Sequence, residues 1–242
     1  MSRVVRDVAM RIVQFRTLVF CALAVAAFIV SCVAHEVVGH GGACLASGGD
    51  IVVLSSSLFR CAPPHPVVDA AGPLASLAVA VAAAIGLAMP IGAGLRRSFL
   101  AFVLAIAGFW FSGELIVSAI SNTDDWSFVI RALAPSDWWL FFRFVMGSIG
   151  TILYALVLRR VGPELPTGRP LVAAYITVGI VACISAVFYR HDPLSALWQA
   201  ALESFGASAG LLYLAVRPVR YKAQHSAPPN KSIQRSAKKR AR

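Results

Sequence analysis

The stretch TLVFCALAVAAFIVSCVA (residues 17–34) carries no charged side chain and runs directly into His35-Glu36-Val37-Val38-Gly39-His40. Crossing the hydrocarbon core of a bilayer takes about 20 apolar residues. In lipid the backbone must satisfy its own hydrogen bonds, so such a run reads as a helix. Four arginines precede it (Arg3, Arg6, Arg11 and Arg16), as in a secretory signal. The apolar stretch is longer than a signal's apolar region, and no clear A-x-A site follows it. It is therefore read as a retained span.

Outward from this run the same pattern recurs. Residues 70–95, 98–113 and 170–189 carry no charge, and 138–158 and 193–216 carry one each, Arg143 and Glu203. The sequence predicts an all-α integral membrane protein with about six transmembrane helices, near 17–40, 70–92, 98–120, 138–158, 170–189 and 194–216. Runs of this length without period-2 alternation argue against a barrel. The chain is 58% hydrophobic and only 14% charged, where a soluble domain has about a quarter charged residues. Mean hydropathy is +0.74. A short β-prone stretch, Gly48–Ser55, follows the first helix. Such a strand could bind an unwound substrate by β-addition, or it is a short re-entrant loop. Residues 1–216 are read as the membrane domain and 217–242 as a basic, disordered cytoplasmic tail.

The basic residues set the topology. They cluster before the first span, at Arg96 and Arg97, at Arg159, Arg160 and Arg169, and from Arg217 onward. Loops rich in Lys and Arg stay in the cytoplasm. With six spans, all these loops fall on one side and both termini are cytoplasmic. The net charge of +11 suits a tail lying on anionic lipid. With no aromatic interleaving beyond Tyr221, nucleic acid is not an expected partner; the lipid bilayer is. Cys21, Cys32 and Cys183 read as packing residues. Cys44 and Cys61 flank the first extracytoplasmic loop, where pairing is open to them. Arg143 is expected to snorkel to the interface or to pair with an acid, and His65, in a Pro-rich loop, to be solvated.

Three polar groups within six residues at the end of a span, His35, Glu36 and His40, point to function, because such groups are expensive in the membrane. The zinc-protease signature H-E-x-x-H puts two His on one helix face and a Glu beside them as general base. Here the second His comes one residue later. On an ideal helix five steps turn about 500°, which leaves the side chains about 140° apart. A π-bulge restores a common face, and Gly39, Gly41 and Gly42 make the distortion cheap.

His-Glu-Val-Val-Gly-His resembles the H-E-x-x-G-H signature of the dipeptidyl peptidase III zinc enzymes, in which both His bind zinc and the Glu is the base. In its membrane setting the motif, followed by Ala71-Gly72-Pro73-Leu74-Ala75-Ser76, resembles the site-two protease family of intramembrane zinc metalloproteases. That family has H-E-x-x-H in a span, a later A-G-P-x-x-N segment and an Asp as third ligand. Ser76 stands here in place of the Asn, and the family's Asp-Gly segment is absent as such. The resemblance implies an intramembrane peptidase with Zn2+ held by His35, His40 and either Asp125 or Asp124, and with Glu36 as catalytic base. Its substrates would be membrane proteins or peptides, and its place the bacterial inner membrane.

Glu114 and Asp69 are further candidates for the site. On the predicted topology these acids, with Glu203, fall at one depth, towards the outer face. Two other readings stay open: a non-catalytic metal-binding membrane protein, and a transporter with an acid relay through Glu36, Glu114 and Glu203.

Overall fold

The uncharged run forms the second half of one long helix. The computed structural model describes residues 3–90, 92–122, 124–188 and 193–217, without the side chains of residues 3–9. Helix α1 (Arg3–Cys32) passes without a break into a π-helical segment, Val33–Gly41, and then into α2 (Gly42–Ala46). An antiparallel hairpin follows, β1 (Asp50–Leu54) with β2 (Phe59–Ala62), bulged between Ile51 and Val53. The rest is helical: α3 (Pro66–Ala88), α4 (Leu95–Ser121), α5 (Asp125–Leu133), α6 (Trp139–Val161), α7 (Arg169–Val187), α8 (Pro193–Ala201), a second π segment (Leu202–Ala207) and α9 (Ala209–Val216).

Among the described residues five helices are long and apolar enough to cross a membrane: Met10–Ala46, Pro66–Ala88, Leu95–Ser121, Ser136–Val161 and Arg169–Val187. The sixth expected segment is helical but interrupted at Leu202–Ala207 and Ser208. An interruption frees backbone groups that lipid cannot satisfy, and two tyrosines meet them. Tyr175 Oη donates to the Phe205 carbonyl at 2.8 Å. Tyr154 Oη donates to the Ala207 carbonyl at 3.0 Å and accepts from the Gly210 amide at 2.6 Å. The second span also begins earlier than residue 70. His65 caps α3, with Nδ1 accepting from the Val67 amide, and Pro66 takes the first helical position, where proline's missing N–H does no harm. Gly72-Pro73 therefore lies inside the helix.

Helix α4 is the centre of the bundle. Of its most apolar 18-residue window 83% is buried, against 11% for the window on α6. Its apolar residues are spread around the whole helix, as a helix surrounded by others requires. It packs against α1, α3 and α6. The hairpin is tied down at two points. Cys61 on β2 is disulfide-bonded to Cys44 on α2. At the tip, the Ser56 carbonyl accepts from Cys32 Sγ on α1 (3.4 Å), and Ser56 Oγ lies 2.6 Å from Ser185 Oγ on α7. The β-prone stretch thus supplies the first strand of a hairpin whose tip reaches α1 and α7.

The basic clusters meet at one end. Glu164, in the connection between α6 and α7, accepts a fork from Arg97 (2.6 Å to each oxygen) and a bond from Arg160 (3.2 Å). Arg217 donates to the Gly162 carbonyl. Among the described residues Arg143 pairs with no acid. It donates to the Ala119 and Ile120 carbonyls (2.8 Å each) at the C-terminal end of α4, where cations are favoured. The basic tail beyond Arg217 lies outside the described residues.

Candidate metal centre

The extra residue between the two histidines falls inside the π segment. A π-helix pairs i with i+5, so His35 and His40 return to one face despite their spacing. Their ring centroids are 4.8 Å apart and their Nε2 atoms 3.1 Å apart. This geometry depends on close contact with α3. A Cβ on Gly39 would stand 2.6 Å from the Ala71 carbonyl oxygen and from Gly72 Cα. A Cβ on Gly72 would enter the His40 ring, 2.5 Å from Cε1 and 2.6 Å from Cδ2. Only glycine fits either position.

The third member comes from α5. Asp125 Oδ2 lies 3.2 Å from His40 Nε2 and 3.6 Å from His35 Nε2. Among the described residues this is the group of three whose ligand atoms all lie within 4.8 Å of one another. Tetrahedral zinc with bonds of about 2.0–2.1 Å to nitrogen or oxygen needs ligand atoms about 3.3 Å apart, and the three separations bracket that value. The other ring nitrogens are anchored as metal-binding histidines require. His40 Nδ1 donates to the Val68 carbonyl at 2.7 Å, which leaves its Nε2 lone pair free, and His35 Nδ1 lies 3.0 Å from Ser76 Oγ. Two imidazole lone pairs and a carboxylate converging at 3.1–3.6 Å repel unless a proton or a metal ion joins them. These residues fit a metal ion.

Aromatic rings hold the imidazoles from outside. Trp110 of α4 stacks on His35 (centroids 4.8 Å, 9° between planes), and Phe59 of β2 stacks on His40 (5.3 Å, 13°). Asp125 is partly exposed; burial favours its neutral form, yet the two imidazoles beside it win and hold its carboxyl below the usual carboxylate range. Asp124 does not join the triangle. It caps α5, with Oδ1 accepting from the Asp125 amide at 3.0 Å, and burial, with the neighbouring Asp125 charge, pushes it up to about 7.

Glu36 is 3% exposed and its Oε2 has no hydrogen-bond partner among the described residues. It faces a cavity of about 410 Å³ shared with His35, His40 and Asp125. Asp69, Glu114 and Glu203 line the same cavity, and Glu114 Oε1 is 3.6 Å from His35 Nε2. The acids expected at one depth do surround one space, and it lies at the end of the bundle away from the arginine clusters. His65 is exposed, and it also lines this cavity.

The sequence alone does not reveal Trp110, Phe59 or the Val68 carbonyl as parts of the site, because each reaches it through tertiary packing. Ser76 was visible only as the residue in the Asn position of the A-G-P-x-x-N pattern.

No protein-family model, curated protein or solved structure matches this chain.

Proposed function

We propose that this protein is an intramembrane zinc metalloprotease of the site-two type, which hydrolyses peptide bonds of membrane-associated substrates. The observation that carries this reading is the His35–His40–Asp125 triangle beside the buried Glu36, whose Oε2 has no hydrogen-bond partner among the described residues. Zinc is the preferred ion because two imidazoles and one carboxylate leave an open fourth position, as in catalytic zinc sites. The two-imidazole set excludes a hard, all-oxygen magnesium or calcium site.

Zinc, when bound, would supply Lewis acidity, polarising the scissile carbonyl and acidifying a water molecule. Glu36, adjacent to His35 and with its Oε2 unpartnered among the described residues, would take a proton from the attacking water and pass it to the leaving amine. Ser76 and the Val68 carbonyl keep both rings turned inward. Trp110 and Phe59 keep bulk water off the rings' outer faces. The cavity admits the water that hydrolysis consumes. The interrupted segment α8–α9 is read as the sixth span, with both termini cytoplasmic and the site towards the outer face of a bacterial inner membrane.

The test is proteolysis of a membrane-embedded reporter in proteoliposomes by wild type and Glu36→Gln. The variant should keep its zinc and lose at least a hundredfold in rate, within the range of lost general-base catalysis. Equal rates in the two proteins would remove Glu36 from the mechanism. Loss of proton-coupled solute uptake, with no cleavage in either protein, would favour the transporter reading.

A further inference from the structure

The wall of the cavity facing the metal site is unusually acidic, and the proposed hydrolysis uses only part of it. A second cavity of about 240 Å³ shares Glu114, Asp124, Gln199 and Glu203 with the first. None of its lining residues is basic. Gln199 Nε2 donates to Glu203 Oε1 at 3.0 Å. Glu114 lines both cavities and is 5% exposed, and its Oε2 has no hydrogen-bond partner among the described residues. A buried carboxylate oxygen without a partner is costly, and here two further carboxylates stand around the same space.

We propose that Glu114, Asp124 and Glu203 form a subsite for an organic cation of the substrate, an ammonium or guanidinium group close to the bond to be cut. A second metal ion fits less well. Among the described residues no three carboxylate or imidazole atoms other than the His35–His40–Asp125 set come within 4.8 Å of one another. An alkylammonium or guanidinium group fills a wider space than a bare ion. It bonds several carboxylates at once, and Trp198, which lines the second cavity, is an aromatic partner for cation–π contact. The chain's net charge of +11 repels cations in general. A preference for them therefore has to arise locally.

This inference rests on the protease reading for its substrate, so its test reads binding rather than cleavage. The probe is a pool of C-terminally labelled, N-acetylated decapeptides with a central Lys and random neutral residues elsewhere. It is compared with the same pool carrying acetyl-lysine, and with the acetyl-lysine pool bearing a free amino terminus. Binding to zinc-loaded Glu36→Gln protein in detergent is followed by fluorescence anisotropy.

The Lys pool should bind at least tenfold more tightly than its acetyl-lysine counterpart. Adding Glu203→Gln should cut that ratio below threefold with zinc content unchanged. Tight binding of the free-terminus pool alone would keep the subsite and assign the cation to a substrate amino terminus. Equal affinity of all three pools would overturn the subsite. Should Glu203→Gln fail to fold, Glu114→Gln makes the same comparison, and the pools decide the question on the unaltered wall. Absence of cleavage by the wild type would overturn the protease reading and leave the binding ratio readable.

Discussion

Replacing Gly72 by Ala tests how the site is built. The added Cβ would sit 2.5 Å from Cε1 and 2.6 Å from Cδ2 of His40, whereas carbon atoms rest about 3.5–4.0 Å apart. The ring must retreat by about 1 Å. It cannot do so and keep both its 2.7 Å bond to the Val68 carbonyl and its 3.2 Å approach to Asp125. Backbone retreat is blocked as well, because Gly39 already touches Gly72 and the Ala71 carbonyl. Disturbing the groups that orient a ligand lowers metal affinity by 10–100-fold. Displacing the ligand itself should lie at the upper end, about 2.7 kcal/mol for a hundredfold. The assay is competition for zinc against a chelator of known affinity in detergent. The control is Gly42→Ala, whose Cβ meets nothing within 4 Å and which should bind zinc like wild type. A Gly72→Ala protein that holds zinc as tightly as the control would refute the close-approach argument.

Three other outcomes follow from the same structure. Ser76→Ala removes the partner of His35 Nδ1 and should weaken zinc binding by about tenfold without changing the fold, as read by the same competition and by circular dichroism. Cys44→Ala with Cys61→Ala frees a loop of sequence separation 17; it should cost about 3 kcal/mol, seen as a lower midpoint in denaturant. The Arg97 fork holds Glu164 below its usual carboxylate range, so its contribution is present above about pH 4.3 and is lost as pH falls through the lower folded value. Glu164→Gln should therefore lower thermal stability at pH 7, with a deficit that shrinks under acid. A constant deficit would show that the ion pair does not matter.

Much of this arrangement is legible in the chain because membrane physics writes long signals. An uncharged run such as 17–34 has few other readings. The spacing of His35 and His40 could be recognised as workable only through a π turn, and the flanking glycines marked where that turn was cheap. Asp125 could not be separated from Asp124 by sequence, since the choice depends on where α5 begins. Asp124 takes the capping position, and this turns Asp125 towards the rings. The interruption of the last segment was not legible. Its freed carbonyls are met by Tyr154 and Tyr175, 53 and 30 residues away from their partners, and no local pattern announces such bonds. The same holds for Arg143, whose apolar surroundings suggested snorkelling while its partners were the last carbonyls of a neighbouring helix.

The central claim is that His35, His40 and Asp125 hold one metal ion. The most direct measurement is elemental analysis of detergent-purified protein, prepared without chelators and with zinc supplied, beside His35→Ala, His40→Ala and Asp125→Ala. The account predicts about one zinc per chain in the wild type and a marked loss in each variant. Zinc in the wild type no higher than in the variants would contradict it.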